Sequence, residues 1–156
     1  MYIASPRHLP SIKQLHDYWS LCRGDRAMPR RADIDPADIR HLLSKVLLVD
    51  IERAPFRVRY RVVGTDAAEW QGRDFTGNYL DEVRFNRPDE ILALYRRAVE
   101  EKVATFRSST WPAPNGVTRA VETAILPLSD DGVHVTQCLA IEDFEDFRDP
   151  AYVPWG

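Results

Sequence analysis

The sequence predicts an α+β fold in which helices cover one face of an antiparallel sheet. Residues 46–52 and 56–63 are strand-like runs joined by a short turn, which is typical of a β-hairpin. Helical patterns follow in mid-chain, and further strands are expected at about 104–111, 117–128 and 133–142. Helices placed between a hairpin and a meander favour an antiparallel sheet with the helices on one side.

Apolar residues at helical spacing predict an amphipathic helix at the start of the chain, with Ser11 and Gln14 as its capping box and Gly24 as its end. The apolar stripe consists of Ile12, Leu15, Trp19 and Cys22. Because an exposed stripe of this size favours association, it must cover the sheet or meet a partner. We predict that it forms a homodimer interface.

A short second helix is expected over about 36–43, with Asp35 as its N-cap. The hairpin's second strand alternates apolar residues (Phe56, Val58, Tyr60 and Val62) with arginines (Arg57, Arg59 and Arg61). This alternation is typical of a half-buried strand. Arginines on the outer side discourage pairing with another chain, so this strand is predicted to be an edge of the sheet.

Three glycines, Gly64, Gly72 and Gly77, interrupt the segment that follows. The spacing from Gly72 to Gly77 matches a phosphate-binding loop, but Asn78-Tyr79 stands where Lys-Ser/Thr must contact phosphate and magnesium. The glycines therefore indicate tight turns that shape a cavity. Gly72 is expected to end a short helix, and Asn86 to begin a longer one over 87–103.

Composition limits the class of protein. The 156 residues are 44% apolar and 29% charged, with a net charge of −3, which indicates one globular domain rather than a dedicated nucleic-acid binder. The first residues lack the apolar core of a signal peptide, and no apolar run is long enough to span a bilayer, so we predict a cytoplasmic protein. Cys22 and Cys138 have no metal-ligating spacing, so no metal site is predicted.

Several short motifs carry a family resemblance: the Tyr18-Trp19 pair, PRRADIDP, RYRVVGT, GRDFTGNYLDE and ILPLSDDG. With the order of elements, they resemble a PAS domain, and more narrowly the single-domain PAS-like proteins common in alphaproteobacteria. The resemblance implies a five-stranded antiparallel sheet in the order 2-1-5-4-3, with helices enclosing a pocket on one face. It divides the chain into an N-terminal helical extension (1–44), a PAS-like domain (45–146) and a tail (147–156).

The resemblance also implies a pocket that aromatic side chains could line. The candidates are Trp70, Phe75, Tyr79, Phe85, Tyr95 and Phe106, together with Gln137 on the last strand. Clustered aromatic residues more often form core than contact a ligand, so ligand contact is a hypothesis. Helix 87–103 has no His to ligate haem, and the Asn-Cys-Arg-Phe-Leu-Gln motif of light-sensing flavin relatives is absent. No cofactor is therefore predicted, although an unidentified small ligand fits the pocket.

An arginine-rich loop offers a weaker candidate site. Arg26 and Arg30 have the RxxxR spacing of cyclic-dinucleotide receptors, and Arg31 follows, but the second half of that receptor motif is missing. A surface loop paired with neighbouring aspartates is the favoured interpretation.

The function predicted is a cytoplasmic, non-enzymatic sensory module that acts by binding a signalling protein and is tuned by a small ligand. The alternative is a small NTF2-like enzyme. The four histidines are scattered, and no catalytic residue is predicted. Two or more His, Asp or Glu residues in mutual contact in the pocket would favour the enzyme.

Overall fold

The computed structural model describes residues 9–85, 87–112 and 118–145. Within these ranges the α-helices are α1 (Pro10–Arg23), α2 (Thr65–Gln71) and α3 (Pro88–Glu101). Segments of 3₁₀ helix span Arg31–Asp33, Pro36–Lys45 and Leu80–Glu82. The strands are β1 (Val46–Glu52), β2 (Arg57–Val63), β3 (Thr105–Pro112), β4 (Thr118–Leu128) and β5 (Gln137–Phe144).

The strands form one antiparallel sheet in the order β2-β1-β5-β4-β3. This order confirms the predicted fold, and β2 is an edge strand as its arginines indicated. Strand β5 begins later than the predicted residue 133. Residues 131–134 form a turn in which the Asp131 carboxylate accepts hydrogen bonds from the backbone N–H groups of Val133 and His134. A side chain that binds backbone groups in this way competes with strand pairing.

Residue pairs across the sheet show which side chains share a face, because directly paired residues point the same way. Glu142 pairs with Thr123, and Thr123 pairs with Arg107. These side chains lie on the inner face, which α2 and α3 cover. Leu126 and Leu139 also pair, and they lie on the opposite, outer face.

Helix α1 covers the outer face of its own chain's sheet. Ile12, Leu15 and Trp19 are all buried, and the Trp19 indole N–H donates to the carbonyl of Pro127 at 3.0 Å. Cys22, at the end of the stripe, is half-buried. The predicted interface stripe is thus already packed within the chain, so a dimer formed through it would require α1 to leave the sheet.

The predicted capping box of α1 is not formed. The helix begins at Pro10, after Leu9, and the buried Ser11 hydroxyl donates instead to the Asp143 carboxylate on β5. By contrast, the Asp35 carboxylate caps the 3₁₀ segment by accepting from the Ala37 N–H at 3.0 Å, as predicted. The expected cap at Asn86 and the tail 147–156 lie outside the described residues.

Strand β2 contains a bulge that changes the predicted face of one residue. Val49 pairs with Tyr60 but Leu48 pairs with Val62, which leaves Arg61 as the extra residue. A bulge shifts every later side chain to the other face. Val58 and Tyr60 are buried as predicted, whereas Val62 turns outward and is 49% exposed.

The described helices are short. None of those in residues 9–85, 87–112 and 118–145 combines the length and apolar character needed to cross a bilayer.

Candidate functional site

The inner face of the sheet and the helical segments above it enclose a cavity of about 120 Å³. Helix α2 contributes Trp70, the connection after it contributes Phe75 and Phe85, and α3 contributes Ile91. The sheet closes the other side with side chains from its last three strands, chief among them Arg107, Thr123 and Glu142. We call this space the inner cavity.

Local sequence explains how the aromatic side chains reach the inner cavity. Gly72 ends α2 in the left-handed region at a φ of 85°, which redirects the chain so that Phe75 points into the interior. Phe75 then packs edge-to-face on Tyr60 and Phe85, with ring centroids 4.8 and 5.6 Å away. The turn at Gly72 therefore brings Phe75 into an aromatic cluster beside the cavity.

A second aromatic contact joins a helix to the sheet. Trp70 of α2 stacks on Phe144 of β5, with centroids 4.2 Å apart and ring planes 11° apart. Both residues line the inner cavity. Any change in the cavity that moves α2 must therefore disturb this stack.

A polar row crosses the floor of the inner cavity. Arg107, Thr123 and Glu142 are neighbours on β3, β4 and β5. The Arg107 guanidinium donates to the Glu90 carboxylate of α3 at 2.8 Å, while its Nε atom is buried without a hydrogen-bond partner among the described residues. The row thus connects the sheet to α3 through one ion pair.

Glu142 has the most unusual environment in this row. Among the residues that the structure describes, no hydrogen bond or ion pair to its carboxylate is found. Burial raises the pKa of Glu142 to about 7, and the nearby positive charge of Arg107 opposes that rise. Its side chain therefore changes charge near neutral pH inside a cavity that a ligand can occupy.

Other polar groups are buried in the core next to the inner cavity. Burial raises the pKa of the Tyr60 and Tyr95 hydroxyls and of the Cys138 thiol well above their usual values. The Tyr60 and Tyr95 hydroxyls are buried next to each other. These groups stay neutral near pH 7, so among the described residues that line the inner cavity Glu142 is the carboxyl group whose pKa lies near 7.

The predicted pocket residues separate into two sets. Trp70, Phe75 and Phe85 line the inner cavity, and Tyr95 is buried in the adjoining core. Phe106 instead lies on the outer face, where its ring meets the His16 ring of α1 edge-on at 5.1 Å. The structure thus brings four of the seven candidates to the inner side.

The other two candidates also lie away from the inner cavity. Gln137 is on the outer face and donates to the Asp50 carboxylate at 2.9 Å. Tyr79 lies along the edge of β2, where its hydroxyl donates to Glu52 at 2.7 Å and the Arg57 guanidinium covers its ring at 3.5 Å. The side chains of Gln137 and Tyr79 are thus engaged in contacts outside the inner cavity.

Sequence reasoning missed the polar row. Arg107, Thr123 and Glu142 follow the alternation of their strands, so each could have been assigned to one of two faces. Only the register between β3, β4 and β5 shows that this face is the enclosed one. The sequence signal that could have revealed the polar row is a single charged residue on an otherwise apolar strand face.

The arginine-rich loop is mostly internally paired. Asp33 accepts hydrogen bonds from Arg26 at 2.9 Å and from Arg30 at 2.8 Å, and the Arg30 guanidinium and backbone N–H hold the pKa of Asp33 well below its usual range. Arg31 differs, because within the described ranges its guanidinium donates to the backbone carbonyl of Ile34 and to no carboxylate. Anion binding by the three arginines stays a prediction.

Comparison with known proteins identifies the family. A family model described as a PAS domain matches residues 7–140. The chain belongs to the PAS domain family. No curated protein matches the sequence.

Solved structures of PAS and related domains resemble the chain at low identity. A light-oxygen-voltage domain studied with a flavin analogue is 12% identical, with a TM-score of 0.50 over 69% of this chain and 82% of that one. A PAS domain from Colwellia psychrerythraea is 12% identical, with a TM-score of 0.45 over 70% and 97% of the two chains. A light-oxygen-voltage protein from Rhodobacter sphaeroides is 12% identical, with a TM-score of 0.44 over 76% and 73%. The first of these likenesses shows the PAS fold, the architecture that the five-stranded sheet displays.

Proposed function

We propose that this PAS domain is a cytoplasmic, non-enzymatic sensory module that regulates a signalling protein, and that its inner cavity receives the signal. The observation that carries the proposal is the Glu142 carboxylate, which faces an enclosed cavity without a partner among the described residues. The Glu142 side chain is half-buried, and partial removal of an unpaired carboxylate from water costs stability. Such costs concentrate at functional sites.

The size and chemistry of the inner cavity favour a small polar ligand. Its volume of about 120 Å³ is below the roughly 300–1,000 Å³ of sites that hold drug-sized molecules. Glu142 can accept a hydrogen bond when ionised and donate one when protonated. A ligand that binds one protonation state of Glu142 more tightly would shift the charge of this carboxyl group. The small volume of the cavity and this response favour a sensory role over a large resident cofactor such as haem or flavin.

Two contacts connect the inner cavity to the helices that cover it. Arg107 links the polar row to α3 through Glu90, and the Trp70–Phe144 stack links the sheet to α2. A ligand that binds one arrangement of these contacts more tightly shifts the population of α2 and α3 positions. The partner protein would respond to the surface that these helices present.

The described lining of the inner cavity supports the non-enzymatic proposal over the enzyme alternative. Two or more acid or base groups in mutual contact in the cavity would favour an enzyme. Among the described residues that line the inner cavity, Glu142 is the single acid, and there is no His. Membership of the PAS family also rules out the NTF2-like fold on which that alternative depended.

Affinity capture from the native host would test the proposal. We expect the wild-type domain to recover one or a few proteins, and Glu142→Gln to recover them in clearly altered amounts. Glu100→Gln, which changes an exposed carboxylate on α3, is the matched control and should behave like wild type. Native mass spectrometry of the same samples should show a small molecule that Glu142→Gln retains less well. Identical recovery and identical masses for all three proteins would contradict the proposal.

A further inference from the structure

A second, larger cavity lies on the opposite side of the sheet. It has a volume of about 460 Å³, which is within the range of ligand-binding sites. The 3₁₀ segment Pro36–Lys45 forms one wall, and the outer face of the sheet forms the floor. We call it the outer groove; its lining is mainly aliphatic, and it shares no residue with the inner cavity.

Two backbone features shape the outer groove. The bulge at Arg61 turns Val62 outward so that its half-exposed side chain lines the groove. Gly64 lets the end of β2 pass close to the 3₁₀ segment, since an added Cβ would lie 2.4 Å from the Ser44 carbonyl oxygen. Leu43 is 39% exposed and lines the same groove, so apolar side chains reach solvent there.

The described lining of the outer groove includes one positively charged residue. Arg31 lines the groove, and no carboxylate among the described residues lies within ion-pair distance of its guanidinium. The Asp130 carboxylate contacts the Arg31 backbone N–H, at 3.4 Å, rather than the guanidinium. The neighbouring Arg26 and Arg30 are both paired with Asp33, so Arg31 is the one of these three arginines whose guanidinium has no carboxylate partner among the described residues.

We infer that the outer groove binds a free fatty acid, with the alkyl chain along the aliphatic floor and the carboxylate on the Arg31 guanidinium. An aliphatic groove selects for an alkyl chain because burial of apolar surface drives its binding. A planar guanidinium matches a carboxylate with two parallel hydrogen bonds. This inference goes beyond the proposed function, because it concerns the other face of the sheet and does not involve Glu142.

Calorimetric titration of the whole chain with decanoate, well below its micelle-forming concentration, tests the inference. We expect saturable binding of one decanoate per chain. Decanol should bind more weakly, and decyltrimethylammonium more weakly still, because both keep the alkyl chain and lose the negative charge. An absence of saturable decanoate binding would overturn the inference.

Two variants assign the binding to the groove. Val62→Asp should weaken decanoate binding at least about tenfold, since it places a like charge on the lining. Val103→Asp changes another exposed valine, 39% exposed and outside the groove, and should leave binding within about twofold of wild type. Equal binding by wild type and Val62→Asp would overturn the assignment, and near-ultraviolet circular dichroism checks that both variants are folded.

A third variant tests the headgroup. Arg31→Gln should weaken decanoate binding about tenfold, the scale of one charge-assisted hydrogen bond, and leave decanol binding unchanged. An equal loss for both molecules, or no loss for either, would contradict the role of Arg31.

Discussion

At the scale of single residues, Glu142 is a carboxyl group whose pKa burial raises into the neutral range. Its pKa of about 7 in the folded protein lies above the roughly 4.3 of an unfolded chain. Between these values the folded state holds a proton that the unfolded state has lost. The free energy of unfolding that Glu142 contributes is therefore greatest at low pH and falls as the pH rises toward 7.

Glu142→Gln should remove this dependence, because the amide resembles the protonated acid and cannot ionise. We expect the variant to be more stable than wild type at pH 8, by at most roughly 3–4 kcal/mol, and nearly equal to it at pH 4.5. Urea unfolding at both pH values measures the difference. Glu100→Gln is the exposed control, and an equal gain at both pH values would contradict the assigned environment.

At the scale of elements, α1 is part of the core of its own chain. Leu15 is fully buried against the sheet, whereas Leu21 on the same helix is 79% exposed. Leu15→Ala should lower the free energy of unfolding by about 2–4 kcal/mol. Leu21→Ala should change it by less than about 0.5 kcal/mol.

The Leu15 result should be the same at micromolar and at hundredfold higher protein concentration, because the contact lies within one chain. A cost that grows with protein concentration would show that the stripe meets a second copy instead. Thermal unfolding followed by circular dichroism at the two concentrations distinguishes these outcomes. The homodimer stays a prediction, and a dimer formed through this stripe would require α1 to leave the sheet.

A buried ion pair connects the N-terminal segment to α2. The Asp66 carboxylate is 3% exposed and lies 3.0 Å from the Lys45 ammonium, at the end of the 3₁₀ segment Pro36–Lys45. Asp66→Asn should cost roughly 2 kcal/mol, because it leaves the Lys45 charge without its closest partner. Asp81→Asn, which breaks the exposed pair with Arg57, should cost less than about 1 kcal/mol. Similar costs for both variants in urea unfolding would contradict this difference in burial.

Local signals predicted the elements better than the contacts between them. Asp35 and Gly72 behave as expected, since a cap and a left-handed turn depend on neighbours in the sequence. Ser11 does not, because Asp143, far away in the sequence, takes its hydroxyl. Phe106 was placed on the wrong side for a similar reason, since alternation shows that a strand has two faces but not which one is enclosed.

At the scale of the whole molecule, one sheet separates two spaces of different character. The inner cavity is small, aromatic and polar, with one carboxylate in its described lining. The outer groove is larger and aliphatic, with one arginine whose guanidinium pairs with no carboxylate of the described residues. The PAS fold was predictable because the order of elements and the short motifs span most of the chain. The polar row of the inner cavity and the outer groove were not predicted, because they depend on the registers of β3, β4 and β5 and on the bulge at Arg61, which strand alternation alone does not determine.

The central claim is that the inner cavity communicates with the helices that enclose it. Amide spectra of the wild-type domain between pH 5.5 and 8.5 test it most directly, since α2 and α3 both border the space that Glu142 faces. We predict signals from both helices that move with a midpoint near pH 7 in wild type and in Glu100→Gln, and that stay fixed in Glu142→Gln. Signals that do not move in wild type, or that move equally in Glu142→Gln, would contradict the claim.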